Sequence, residues 1–160
     1  MSRTDLLPLV EALAQRLLAR GERLATAESC TGGLVAATCT EVSGSSAWFE
    51  RGWVTYSNEA KSDLLGVDAA LIATQGAVSE AVARAMAEGA LAHSMAQVAV
   101  AVTGVAGPTG GTPDKPVGTV WLAWARQGQA TQVQCGVFAG DRAAVRHASV
   151  EQALRGLLTR

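Results

Sequence analysis

An unbroken apolar run, Val98-Ala99-Val100-Ala101-Val102, lies between Gln97 and Thr103-Gly104. A strand of that composition has no side for water, so it must be covered by helices on both faces. That excludes a one-faced antiparallel sheet and demands layers. The flanking sequence supplies them. Leu6, Leu7, Val10, Leu13, Leu17 and Leu18 recur at helical spacing, and Gly21 ends the helix they form. Leu24-Ala25-Thr26-Ala27 reads as a short buried strand. A helix is expected from about Thr31 to Thr40, a strand within Trp48 to Tyr56, and a helix opened by Ser57 or Asn58 and closed by Gly66. Ser79 caps an alanine-rich helix reaching about Ser94. Beyond the apolar run, Val117 to Arg126 and Thr131 to Phe138 read as a hairpin around Gln127-Gly128, and Asp141 caps a last helix. This order predicts a three-layer α/β/α sandwich with a mixed, mostly parallel sheet, in a single domain over residues 1–160.

Composition narrows the function. Hydrophobic residues make up 49% of the chain but aromatic ones only 4%, so the core is expected to be Ala, Val and Leu. Trp48, Trp53, Trp121 and Trp124 are assigned to core or interface packing, with Trp48, Phe49 and Trp53 alternatively forming an exposed apolar patch for a dimer. The formal charge of -1 argues against a general nucleic-acid binder. Cys30, Cys39 and Cys135 have neither zinc-site spacing nor the even number of a closed disulfide set, which suits reduced thiols in a cytoplasmic protein. Met1 to Leu18 carries acids and no long apolar core, so no signal peptide is expected. No stretch approaches the roughly 20 apolar residues of a membrane span. Glu28, Glu59 and Asp63 do not form a metal set, and no metal or cofactor is expected.

Two glycine-rich segments follow strand candidates. In Ala27-Glu28-Ser29-Cys30-Thr31-Gly32-Gly33, hydroxyls and a thiol stand before two glycines and an apolar helical run. Such a turn can be a plain helix cap. It can equally hold a nucleophile, with the amides of Thr31, Gly32 and Gly33 facing an oxyanion or phosphate. The second segment, Thr103-Gly104-Val105-Ala106-Gly107-Pro108-Thr109-Gly110-Gly111-Thr112-Pro113, is neither a Walker A nor a dinucleotide fingerprint, but its glycines expose backbone amides to an anion. In open α/β sheets, loops at strand carboxyl ends converge on a ligand.

A serine nucleophile needs a base. His93 and His147 both fall inside predicted helices, far from either glycine-rich turn. Lys61, one turn into a helix, is the better candidate, with Tyr56 relaying or stabilising the proton. Lys61 must then be neutral, its pKa lowered by desolvation or nearby positive charge. Cys30 is the rival nucleophile, acidified by a helix N-terminus but lacking a histidine partner. Arg142, beside the capping Asp141, can clamp a phosphate or carboxylate, or only pair at the helix start. A non-catalytic nucleotide-binding module remains the competing class.

The motifs Ala27–Gly33, Thr55-Tyr56-Ser57-Asn58-Glu59-Ala60-Lys61, Gly76-Ala77-Val78-Ser79, Thr103–Pro108 and Gly110–Val120, in this order, resemble the CinA C-terminal domain family. The match runs from about Leu6 to Leu158. Stand-alone members are nicotinamide-nucleotide amidohydrolases. The resemblance implies a three-layer α/β/α fold, a homo-oligomer such as a dimer, and hydrolysis of the carboxamide of nicotinamide mononucleotide. It also implies Ser29 as nucleophile, Tyr56 and Lys61 as its activating partners, and Thr103 and Arg142 as substrate-site positions. Gly104 and Gly107 belong to the same substrate loop. Long members carry an N-terminal domain linked to molybdopterin-type folds and ADP-ribose hydrolysis. No counterpart of it is read in this sequence, so those activities are not expected here.

Overall fold

A computed structural model describes residues 3–160. Helix α1 (Leu7–Arg20) leads to β1 (Leu24–Glu28), α2 (Leu34–Cys39), β2 (Phe49–Val54), α3 (Asn58–Leu65), α4 (Ala69–Gln75) and α5 (Glu80–Ala92). Then follow β3 (Val98–Gly104), β4 (Thr119–Arg126), β5 (Gln132–Val137) and α6 (Arg142–Thr159). The strands form one five-stranded sheet in the order β2-β1-β3-β4-β5.

The apolar run is β3, buried on both faces, and its alternation sorts the layers. Val98, Val100 and Val102 pack with Leu13 and Leu17 of α1, Val35 of α2 and Leu154 of α6. Ala99 and Ala101 face the other way, toward Val82, Ala83, Met86 and Ala90 of α5. Small side chains on that face let α5 lie close to the sheet. At Gly89 of α5 a Cβ would run into the Leu65 carbonyl, so glycine there lets the end of α3 rest on α5.

The sheet is mixed, as expected, with β1, β2, β3 and β5 running one way and β4 against them. The β1–β2 and β1–β3 pairs are parallel, and the β3–β4 and β4–β5 pairs antiparallel. Strand β4, the first of the expected hairpin, makes both antiparallel pairings. Three caps fall where expected: Ser57, Ser79 and Asp141 accept the Ala60, Val82 and Ala144 amides. Helix α4, capped by Asp68, was not anticipated; at seven residues it is too short to show a periodicity. The aromatic patch does not form, because Trp48 is 1% exposed and sits edge-on to Phe49 in the core. Among the described residues no helix is long and apolar enough to cross a membrane.

Candidate active site

The parallel strands β1, β2 and β3 deliver their carboxyl ends to one rim of the sheet, with β1 between the other two. The Thr55 amide donates to the Glu28 carbonyl at 2.8 Å, which carries the chain leaving β2 directly past Ser29. Ser57 then starts α3, and Lys61 arrives one turn later. A pocket of about 290 Å³ opens here, lined by Ser29, Cys30, Tyr56, Asn58, Lys61, Ala77, Val78, the loop from Thr103 to Gly107, Thr109, Gly110 and Arg142. Open α/β sheets bind ligands at this place.

Lys61 is 1% exposed. Its Nζ lies 3.1 Å from Ser29 Oγ, 2.8 Å from the Thr55 carbonyl, and 3.4 and 3.5 Å from those of Tyr56 and Ser57. As an ammonium it donates to Ser29 and to the carbonyls. As an amine it keeps N–H bonds to two carbonyls and turns its lone pair to the Ser29 hydroxyl. Burial pushes Lys61 below its ordinary value of 10.5, with the Cys30 thiol acting in the opposite direction. Burial also pushes the Cys30 thiol up to about 11, with the charge of Glu28 adding to the effect. Cys30 therefore stays a thiol near neutrality and is a poor nucleophile.

The turn around Ser29 differs from the expected helix cap. Helix α2 starts at Leu34, not Thr31, because Gly32 (φ 58°) and Gly33 (φ 99°) both take left-handed backbone. The cap comes from Glu28. Its buried carboxylate accepts the amides of Gly33 (3.2 Å), Val35 (2.8 Å) and Ala36 (3.0 Å). The Gly32 amide donates to the Ser29 carbonyl at 3.0 Å. Gly32 and Gly33 thus have no amide to offer an oxyanion, and Thr31 is fully buried outside the pocket lining. Among the described residues the Cys30 and Thr31 amides make no backbone hydrogen bond. Removing the carboxylate with Glu28→Ala strands three donors, so stability should fall by about 3 kcal/mol or more in denaturant unfolding. An unchanged midpoint would show that another group takes over the cap.

Tyr56 and Arg142 are joined to each other rather than to the lysine. Arg142 Nη2 donates to the Tyr56 hydroxyl at 3.1 Å and Nη1 to the Gly107 carbonyl at 2.9 Å. The Tyr56 side chain is 59% exposed, and only its carbonyl meets Lys61. The Thr103 hydroxyl donates to the Ala77 carbonyl at 2.9 Å, fixing one pocket wall to β3. Gly104 packs without a Cβ against Val120, and Gly107 (φ 80°) against Val117. His93 and His147 do not line the pocket.

Three residues escaped the sequence reading. Asn58 lines the pocket three positions before Lys61, a spacing that places both on one helix face. Glu28 was weighed only as a metal ligand. Arg146 donates from Nε to the Cys30 carbonyl (3.1 Å) and from Nη2 to the Thr31 carbonyl (3.2 Å), so it braces the Ser29 turn from behind. Its position four residues after Arg142 was the available signal.

Fold and site together define an α/β/α domain with a half-buried serine paired to a buried lysine at the strand ends. Residues 7–160 match the model of the CinA C-terminal domain. The chain belongs to the CinA C-terminal domain family. It is 52% identical over 159 residues to the nicotinamide-nucleotide amidohydrolase PncC of Escherichia coli K12, covering 98% of this chain and 95% of that protein. A CinA-like protein of Akkermansia muciniphila is 53% identical over 150 residues, and there the match spans 94% of this chain but 36% of the relative. Among solved structures, the competence damage-inducible protein A of Klebsiella pneumoniae superposes with a TM-score of 0.92 at 44% identity, over 96% of this chain and 94% of that one.

Proposed function

We propose that the chain hydrolyses the carboxamide of nicotinamide mononucleotide to nicotinic acid mononucleotide and ammonia. The observation that carries this reading is the 3.1 Å contact between Ser29 Oγ and the buried Lys61 Nζ, in a chain 52% identical to an enzyme named for that reaction.

Neutral Lys61 takes the Ser29 proton as Oγ attacks the amide carbon. The Cys30 amide, on the residue after the nucleophile and at the pocket wall, is the backbone donor for the oxyanion. The protonated Lys61 returns its proton to the departing nitrogen, and ammonia leaves. Water, deprotonated by Lys61, then cleaves the acyl-enzyme to the carboxylate and restores Ser29. Thr103 has committed its proton to Ala77 and presents an acceptor, suited to the substrate's amide N–H. Tyr56 and Arg142 act on the substrate at the pocket rim rather than on the Ser29 proton. In this reading the chain works as one catalytic domain without a cofactor, in the cytoplasm and as a homodimer.

The test is ammonia release from nicotinamide mononucleotide and from a panel of amides with and without phosphate, with chromatography of the acid product. Release from the mononucleotide supports the reading. Release only from another amide moves the substrate. Tight binding of the mononucleotide without any release makes the domain a binding module.

A further inference from the structure

In the turn that carries Ser29, the amides of Cys30 and Thr31 meet no backbone acceptor among the described residues, although both residues are buried. Buried amides are nearly always paired, so two free ones in succession call for a reason. The carbonyls that share their peptides are all engaged. The Cys30 amide shares a peptide with the Ser29 carbonyl, which accepts the Gly32 amide at 3.0 Å. The Gly32 amide in turn shares a peptide with the Thr31 carbonyl, which accepts Arg146 Nη2 at 3.2 Å beside the Leu34 amide at 3.1 Å. The Thr31 amide shares a peptide with the Cys30 carbonyl, which accepts Arg146 Nε at 3.1 Å. Both free amides therefore end a chain of hydrogen bonds that begins on one guanidinium.

A trans peptide points its C=O and its N–H in opposite directions. A donor fixed on the Cys30 carbonyl thus turns the Thr31 N–H away from the arginine. Arg146 does not line the Ser29 pocket; it borders a separate hollow that Asp141 also lines. Its Nε and Nη2 form a rigid fork laid across two successive carbonyls, which fixes both peptide planes at once. Each hydrogen bond in such a chain polarises the next, and a charged donor at its head strengthens the effect. The charge is not spent elsewhere. Arg146 makes no ion pair among the described residues, whereas Arg51, Arg84, Arg126 and Arg155 each meet a glutamate. Asp141 accepts the Ala144 amide at 2.9 Å. The charge is also felt inside the turn, where it draws the Cys30 thiol down against the upward push of burial.

We propose that Arg146 is a positioning residue for the hydrolysis, holding the Cys30 amide toward the oxyanion and polarising it through the peptides of the Ser29 turn, with the Thr31 amide kept free beside it. The inference rests on the amidohydrolase reading for the identity of the substrate. Arg146 touches no part of that substrate. Its effect is confined to the tetrahedral state, where negative charge gathers on the carbonyl oxygen.

The experiment measures kcat and KM for nicotinamide mononucleotide in the wild type, Arg146→Met and Arg146→Lys. It also measures the affinities of two probes: the acid product, and the mononucleotide of pyridine-3-carbaldehyde. Ser29 Oγ adds to the aldehyde carbon while Lys61 takes the hydroxyl proton, and the resulting oxygen stands where the oxyanion would. In Arg146→Met kcat should fall about tenfold or more, less than the 10²–10³ of losing a donor outright, with KM within about threefold. The aldehyde should weaken by a matching factor and the acid product hardly at all. Arg146→Lys should recover part of the loss. Affinities do not depend on the folded fraction, so lost stability alone leaves the ratio of the two probes unmoved. Should Arg146→Met not fold, Arg146→Gln, which keeps an N–H without the charge, takes its place with the same expected result. An unchanged kcat, a rise in KM alone, or equal weakening of both probes overturns the inference. If the wild type releases no ammonia from the mononucleotide, the amidohydrolase reading fails, and the Ser29-dependent release of nitrophenolate from p-nitrophenyl acetate decides the role of Arg146 alone. A rate that falls about tenfold in Arg146→Met and partly returns in Arg146→Lys then upholds it; an equal rate in all three, or none in the wild type, overturns it.

Discussion

Ser29→Ala should reduce amide hydrolysis by roughly 10⁵-fold or more, while the affinity for the nucleotide stays within a few-fold of the wild type. The side chain is small and half-buried, and its amide still donates to the Val102 carbonyl at 2.9 Å, so the turn has no reason to move. What is lost is the one oxygen that Lys61 can deprotonate. Ammonia release under saturating nucleotide, with binding by calorimetry, checks both halves. Substantial turnover in Ser29→Ala that disappears on thiol alkylation would transfer the chemistry to Cys30, against the burial that keeps that thiol protonated.

Lys61→Met should lower kcat by about 10³-fold or more, the range seen when a general base is removed. Lys61→Arg should be as inactive, because a guanidinium keeps the charge but cannot be deprotonated. A Lys61→Arg enzyme with near-normal kcat would mean that the lysine supplies charge, not base. The wild-type pH profile follows from the direction of the lysine's shift. The active form is the neutral amine, so kcat/KM should rise with pH, with its inflection below the ordinary 10.5. The same shift governs stability. Between the folded and unfolded lysine values the unfolded chain binds the extra proton, so stability rises with pH through that window. Below it, both states hold the proton and the whole burden of a buried ammonium is felt. A kcat/KM profile with no rising limb anywhere below pH 10.5 would remove Lys61 from the base role.

How much of this was legible varies with the range of the interaction. The alternating Val-Ala run announced a doubly covered strand, since both of its faces are written in one pentapeptide. Ser57, Ser79 and Asp141 were legible as caps because a side chain bonds an amide three residues on. The strand order β2-β1-β3-β4-β5 was not, because which strands become neighbours is decided by connections rather than by composition. Within the site, the pairing of Ser29 with Lys61 came from eliminating the histidines. The pairing of Tyr56 with Arg142 spans 86 positions, and no local pattern proposes it. The start of α2 was misread because Glu28, lying before the turn, folds its carboxylate over the helix end in place of a serine or threonine.

Ser29 and Lys61 stand 32 positions apart and meet only when α3 has settled beside the end of β1. In an extended chain the lysine is hydrated and charged, and the serine is an ordinary alcohol. On the proposed mechanism, reactivity therefore exists only in the folded molecule, where α3 lies beside the end of β1. A copy still emerging from synthesis, or one partly denatured, is chemically silent toward the amides around it. If that contact arms the hydroxyl as proposed, it also serves as a safety catch released by folding.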